Sequence, residues 1–170
     1  MSDSRTDEVI GIINHFFAEQ KILHELLVAS DRFVYRCGFS PHSSKCSTLE
    51  FELVVDDSAM QSYVSVQGKF EKAENAIIKY ISRINLEFKL GRFEYNFRNG
   101  RVAFHFGQRI DIVAQGMNPH ILMDQIYYPL TIMDRFAAGF YELAQGGVSP
   151  EEMAVKYLSA NYAVENNVVK

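Results

Sequence analysis

The chain has 170 residues, of which 48% are hydrophobic and 22% are charged, the composition of one globular domain with its own core. Its formal net charge is -4, which argues against a general affinity for the phosphates of nucleic acids. The first residues do not resemble a signal peptide, no apolar stretch is long enough to span a bilayer, and there are 2 cysteines. These features predict a cytoplasmic protein with no membrane segment.

Hydrophobic spacing predicts a first helix over residues 6–20. Its apolar positions recur every three or four residues, and they are Val9, Ile10, Ile13, Phe16 and Phe17. Residues 21–29 are also apolar at a spacing of four. They are therefore predicted to extend this helix or to add another turn or two.

The pattern then changes to alternation, which is typical of strands. RFVYRCGF (32–39), LEFELVV (49–55) and YVSVQG (63–68) alternate in this way, and the short links between them require antiparallel neighbours. Residues 71–84 return to helical spacing and predict an amphipathic helix.

The segment FEYNFRNGRVAFHF (93–106) contains Asn99-Gly100 between two alternating runs, the strongest local signal for a β-hairpin. A two-residue type I′ turn is predicted, with positive φ at both positions. The aromatic side chains would then share one face of the sheet, and they are Phe93, Tyr95, Phe97, Phe104 and Phe106. We expect the following helix to cover this face.

That helix is predicted to begin with Asn118 as N-cap and Pro119 at the first position, and to run to Gln145, just before two glycines. Pro129 predicts a kink or a short break. Ser149 and Glu152 form a capping box that predicts a last helix to about residue 162. The whole chain, 1–170, is predicted as one domain with a core over 6–146, an accessory helix over 150–162 and a loose tail over 163–170.

Two apolar stripes run along the long helix, a wider apolar arc than a surface helix needs. One packing partner is the sheet. The second stripe is covered either by the C-terminal helix or by another subunit. Its large residues are Ile121, Tyr128, Ile132 and Phe136.

The sequence gives little evidence for a catalytic or metal-binding site. Cys37, His42 and Cys46 lie close together, but a structural zinc site needs a fourth ligand. Adjacent Asp56 and Asp57 are typical of a turn. The chain has no catalytic or nucleotide-binding motif, so no enzyme activity, cofactor or metal is predicted.

In element order, the chain resembles the YbjN family of bacterial proteins and the fold of type III secretion chaperones. The resemblance covers about residues 9–146, and it depends on AIIKYISRIN, GRFEYNFRNGRVAFHF and NPHILMDQIYYPLTIMDRFAAGFYELAQGG. It implies dimeric binding modules without an active site.

The sequence thus predicts an α+β domain, an antiparallel sheet of about five strands with helices packed on one face. The expected function is protein binding by a homodimeric, chaperone-like or regulatory adaptor, with Ile121, Tyr128, Ile132 and Phe136 as contact residues. Replacing Ile132 with Asp should then convert a dimer to a monomer. The alternative is a small-molecule sensor or enzyme with a pocket between sheet and long helix. A cavity lined by Arg101, His105 or Asp111 would favour that alternative.

Overall fold

The computed structural model describes residues 4–29, 31–42, 48–111 and 119–165. Within these ranges the chain forms α1 (Ser4–Glu19), β1 (Glu25–Val28), β2 (Arg32–Phe39), β3 (Leu49–Asp56), β4 (Ala59–Val66), α2 (Glu74–Ile84), β5 (Arg92–Asn96), β6 (Arg101–Arg109), α3 (Pro119–Gln145) and α4 (Pro150–Glu165). The predicted α+β class is confirmed, although the sheet has six strands rather than five. None of the described helices is long and apolar enough to cross a membrane.

The strands form one antiparallel sheet in the order β1-β2-β3-β4-β6-β5. Side chains alternate across it, so that β3 buries Leu49, Phe51, Leu53 and Val55 on one face. Helices α1, α2 and α3 cover this face, and α4 packs outside them on α2 and α3. The opposite face, called the open face below, carries Glu50, Glu52, Tyr63, Arg101 and His105.

The prediction that residues 21–29 continue the first helix is wrong. The chain leaves α1 through Lys21, which has a φ of 54°. The backbone N–H of Ile22 donates to Phe17 O and that of Lys21 to Ala18 O, the pair of bonds that defines a Schellman motif. The chain then reverses into β1. The prediction failed because a short apolar run does not by itself distinguish a helix from a strand.

The hairpin forms where it was predicted, but its turn differs. Asn96 pairs with Arg101, and residues 97–100 form a four-residue loop. The carbonyl of Asn96 accepts from the N–H groups of Asn99 (3.3 Å) and Gly100 (2.8 Å), and only Gly100 has a positive φ, 66°. A type I′ turn is therefore absent here. As a result Phe97 leaves the aromatic face, and 72% of its surface is exposed.

Helix α3 continues through Pro129 without a break. Proline has no N–H, so the carbonyl of Gln125, four residues earlier, lacks its helical donor. The hydroxyl of Ser62, on β4, donates to this carbonyl at 2.7 Å. The side-chain amide of Gln125 donates to Met60 O, Ser62 Oγ and Phe106 O, at 3.3, 2.9 and 3.2 Å. Gln125 and Ser62 are both completely buried.

The predicted C-terminal end of α3 and the predicted start of α4 are confirmed, whereas α4 runs to Glu165 rather than to about residue 162, so its last turn takes residues that were predicted as tail. Gly146 and Gly147 have φ values of 78° and 89° after α3. Ser149 and Glu152 form the capping box, in which Glu152 N donates to Ser149 Oγ at 3.2 Å and Ser149 N donates to Glu152 Oε2 at 3.1 Å. The predicted N-cap Asn118 lies outside the described residues.

Replacing Lys21 with Gly should raise the free energy of unfolding by roughly 1 kcal/mol, because glycine adopts a positive φ without the clash of a Cβ. Urea denaturation measures this change. A Gln20→Gly variant, one residue earlier, is the control, and it should be neutral or destabilising. Equal effects at both positions would contradict a specific role for the conformation of Lys21.

Replacing Ser62 with Ala should lower the free energy of unfolding by about 1–3 kcal/mol, because the buried carbonyl of Gln125 loses its donor. Ser65→Ala is the matched control on the same strand. It removes a half-exposed hydroxyl and should cost no more than about 0.5 kcal/mol.

A double-mutant cycle tests the cause of this effect. Pro129→Ala restores an N–H opposite the Gln125 carbonyl, so Ser62→Ala should cost less in that background than in the wild type. An equal cost in both backgrounds would show that Ser62 does not act through this carbonyl.

Candidate functional site

The rings of Phe93, Phe104 and Phe106 lie beneath α3, as predicted, whereas Phe97 is exposed. Phe93 and Phe104 contact each other edge to face, with centroids 5.0 Å apart, and Phe136 of α3 packs on Phe93 at 5.6 Å. Tyr128 lies over Phe106 at 5.3 Å. Phe93, Phe104 and Phe106 are all buried. They are therefore not available to stack on the bases of a nucleic acid.

Helix α4 covers the C-terminal half of the second stripe. Its Tyr157 ring lies 6.2 Å from that of Phe136, and Tyr157 O accepts a hydrogen bond from Arg135 at 2.6 Å. Glu142 of α3 accepts from the Tyr157 hydroxyl at 3.1 Å and pairs with Lys156 at 2.6 Å. Phe136 is completely buried, so in this conformation it has no surface to offer to a partner.

The N-terminal half of the same stripe stays partly exposed. We call Ile121, Tyr128 and Ile132 the α3 strip; all three are half-buried. The Tyr128 hydroxyl donates to Leu90 O at 3.1 Å, which holds its ring beside the exposed Leu90 side chain. Three of the four predicted contact residues therefore lie together on a partly exposed apolar surface.

Cys37 is an unreactive core thiol. It lies on β2 opposite Phe51, half-buried on the covered face of the sheet, and burial raises its pKa to about 12. A thiol with this pKa stays protonated near neutral pH and is a poor nucleophile or metal ligand. Cys46 lies outside the described residues. Among the described residues, no group of three or more His, Cys, Asp and Glu side chains could hold a metal ion.

Asp56 forms a turn, as predicted. Its carboxylate accepts hydrogen bonds from the backbone N–H groups of Ser58, at 2.8 Å, and Ala59, at 2.9 Å. Asp57 follows it at the tip and accepts a hydrogen bond from the Thr6 hydroxyl of α1 at 2.8 Å. These contacts explain both carboxylates as parts of the link between β3 and β4.

Two clefts lie on the open face, on the other side of the sheet from the predicted pocket. One, of about 630 Å³, is bordered by Glu50, Tyr63 and Arg101, and the other, of about 430 Å³, by His105 and Arg109. The ring of Tyr63, which borders the first cleft, stacks on that of His105, which borders the second, with centroids 4.5 Å apart. The space between sheet and α3, where the pocket was expected, is filled by the buried rings.

Charged side chains on the open face are arranged in pairs. Arg101 contacts the carboxylate of Glu50 and donates to Ser65 Oγ at 3.1 Å. His105 Nδ1 lies 3.2 Å from Glu94 Oε1. Asp111 pairs with Arg109 at the end of β6, with N···O distances of 3.0 and 2.8 Å. Strand alternation placed Glu50, Ser65, Glu94, Arg101 and His105 on one face, but the pairing across strands required the sheet order.

The buried tyrosines predict how stability depends on pH. Burial raises the pKa of Tyr35 to about 12, and burial followed by the neighbouring Glu142 carboxylate raises that of Tyr157 to about 12. In the unfolded chain these groups ionise near 10. Their contribution to stability is therefore fully present below about pH 10 and is lost as the pH rises from 10 to 12.

Urea denaturation between pH 8 and 12 measures this loss. Tyr35→Phe should make the decline above about pH 10 shallower than in the wild type, since phenylalanine cannot ionise. A decline of unchanged steepness would show that Tyr35 does not remain protonated in the folded state.

No family model, curated protein or solved structure matches this chain. A function for it therefore has to be inferred from the surfaces and contacts described above.

Proposed function

We propose that this chain is a non-enzymatic protein-binding module that acts as a homodimer, as a chaperone-like or regulatory adaptor. The observation that supports this most is the α3 strip, Ile121, Tyr128 and Ile132, which stays partly exposed beside Leu90 while α4 covers the rest of the stripe. A protein partner would cover the strip with its own apolar side chains.

Burial of apolar surface would provide the free energy of binding, at about 25 cal/mol per Å² before the cost of ordering both partners. Tyr128, the largest side chain of the strip, is suited to this because its ring is already held in place. Tyr128 packs on Phe106 and hydrogen bonds to Leu90 O, so few rotamers are lost on binding.

Membership of the YbjN family and location in the cytoplasm are parts of the same proposal. The order of elements from α1 to α3, with β1 left out, is the order that this resemblance implies, and β1 and α4 are additions to it. The chain has 2 cysteines, and the thiol of Cys37 is free, as is usual in a reducing compartment.

A second candidate function is the recognition of a small polar molecule on the open face. The cleft of about 630 Å³ beside Arg101 favours it, since small-molecule sites commonly have volumes of 300–1,000 Å³. A sensor of this kind would not depend on the α3 strip, which lies on the other side of the sheet.

Replacing Ile132 with Asp tests the proposal. Burying a carboxylate against an apolar partner is costly, so proteins captured from native lysate by the immobilised wild type should fall about tenfold or more on the variant. Quantitative mass spectrometry measures the captured proteins, and a thermal melt verifies that the variant is folded.

Thr131→Asp is the matched control, because Thr131 is the neighbouring exposed residue of α3. It should capture the same proteins as the wild type. Equal capture by all three proteins would refute the α3 strip as the contact surface and favour the open face.

A further inference from the structure

The two edges of the sheet differ in how they end. At the β5 edge, the side-chain amide of Asn85 acts in place of a neighbouring strand. Its Oδ1 accepts from Phe93 N at 2.8 Å and its Nδ2 donates to Phe93 O at 3.0 Å. The outward backbone groups of Phe93 are thereby occupied, which hinders pairing of another strand with this edge.

The β1 edge has no such cover among the described residues. Ala29 N donates to Arg32 O at 2.9 Å, so the pair of Ala29 and Arg32 belongs to the β1–β2 ladder. Hydrogen-bonded pairs alternate with non-bonded pairs in an antiparallel ladder. The backbone N–H and C=O groups of Leu26 and Val28 therefore point away from β2, toward the open edge.

The side chains of β1 are apolar and exposed. Leu26 is 39% exposed and Val28 67%, on the helical side of the sheet, and Leu27 is 36% exposed on the open face. Glu25 carries the only charge in this strand, which contains neither lysine nor proline. An uncovered edge of this composition is suited to pairing with another strand.

We propose that β1 forms the homodimer contact, in which two copies of this chain pair their β1 strands antiparallel about a two-fold axis at Leu27. This inference rests on the proposed homodimer and specifies its interface. The two sheets become one continuous sheet. The α3 strip lies outside this dimer contact, and its partly exposed surface can contact a different protein.

The strand is complementary to itself in this register. Leu26 faces Val28 of the second copy, and both have outward backbone groups, so each of the two symmetric pairs exchanges two hydrogen bonds. Their side chains lie on the same face and form apolar cross-strand contacts. Glu25 faces the small Ala29, so the two carboxylates lie at opposite ends of the interface and do not repel each other.

A proline substitution tests the interface. Val28→Pro removes an outward N–H without affecting the β1–β2 ladder, because the Val28 N–H is not part of it. We expect a dimer at least about tenfold weaker than the wild type by light scattering, with an unchanged melting temperature at a protein concentration where both are monomers. Val28→Thr is the matched control; it keeps the N–H and the β-branch and should remain a dimer.

Cysteine cross-linking tests the register, in a chain whose native cysteines are replaced by alanine. At the two-fold axis, the Cα atoms of residue 27 would lie about 4.5 Å apart, within the range for a disulfide, so Leu27→Cys should form a covalent dimer on mild oxidation. In Glu25→Cys the two thiols would be separated by about four residues, roughly 13 Å, and should not cross-link.

The outcomes separate this inference from the proposed function. A dimer that survives Ile132→Asp but not Val28→Pro supports β1 as the interface. A dimer that survives Val28→Pro and does not cross-link through Leu27→Cys overturns it, and loss of the dimer in Ile132→Asp would then place the interface on the α3 strip. A wild-type monomer at every concentration would overturn both the homodimer and the β1 interface. The proposal of protein binding would then depend on the capture experiment alone.

Discussion

The other features of the structure depend on the position and rotation of α3 on the sheet. Apolar burial supplies most of the free energy but is not directional, so it would allow the helix to rotate or slide. Ser62 and Gln125 add directional contacts at the centre of this interface. The Ser62 hydroxyl donates to the Gln125 carbonyl that Pro129 leaves without a helical donor, and an unsatisfied buried carbonyl would cost about 1–3 kcal/mol. A rotation or shift of the helix would break these hydrogen bonds.

The seating of α3 decides which side chains face outward. With Gln125 directed at β4 and β6, Phe136 points into the aromatic cluster, whereas Ile121, Tyr128 and Ile132 lie at its margin. Helix α4 then covers only the C-terminal half of the outer stripe. The partly exposed strip is thus a consequence of the same contacts that hold the core together.

The two edge strands of the sheet, β5 and β1, differ in whether their outward backbone groups are covered. At the β5 edge, the side-chain amide of Asn85 hydrogen bonds to the backbone of Phe93 as a neighbouring strand would. The 3₁₀ turn that contains Asn85 follows directly from α2. At the other edge, β1 follows the left-handed backbone conformation of Lys21, which ends α1 and turns the chain back toward the sheet. One edge is therefore protected by a side chain of the same molecule, and the other presents backbone groups and apolar side chains outward.

The sequence alone determined the features that depend on local periodicity and local turn chemistry. The alternation of β2, β3 and β4, the burial of Phe93 and Phe104, and the cap formed by Ser149 with Glu152 were all predicted in this way. Each follows from neighbours within a few residues, where spacing sets which side chains share a face. The assignment of Cys37 to the covered face follows from the same alternation.

Tertiary structure decided the features that depend on distant residues. Residues 21–29 have the spacing of a helix, but residues 25–28 form backbone hydrogen bonds with β2 and become strand β1 instead. Pro129 predicts a break, but the hydroxyl of Ser62, far away in the sequence, replaces the missing donor. The stripe of α3 is uniform in sequence, and it is the packing of Phe136 against Phe93 and against Tyr157 of α4 that separates a buried Phe136 from an accessible Ile132. Contacts between distant segments carry no local signal, because their free energy is realised only once the chain has folded.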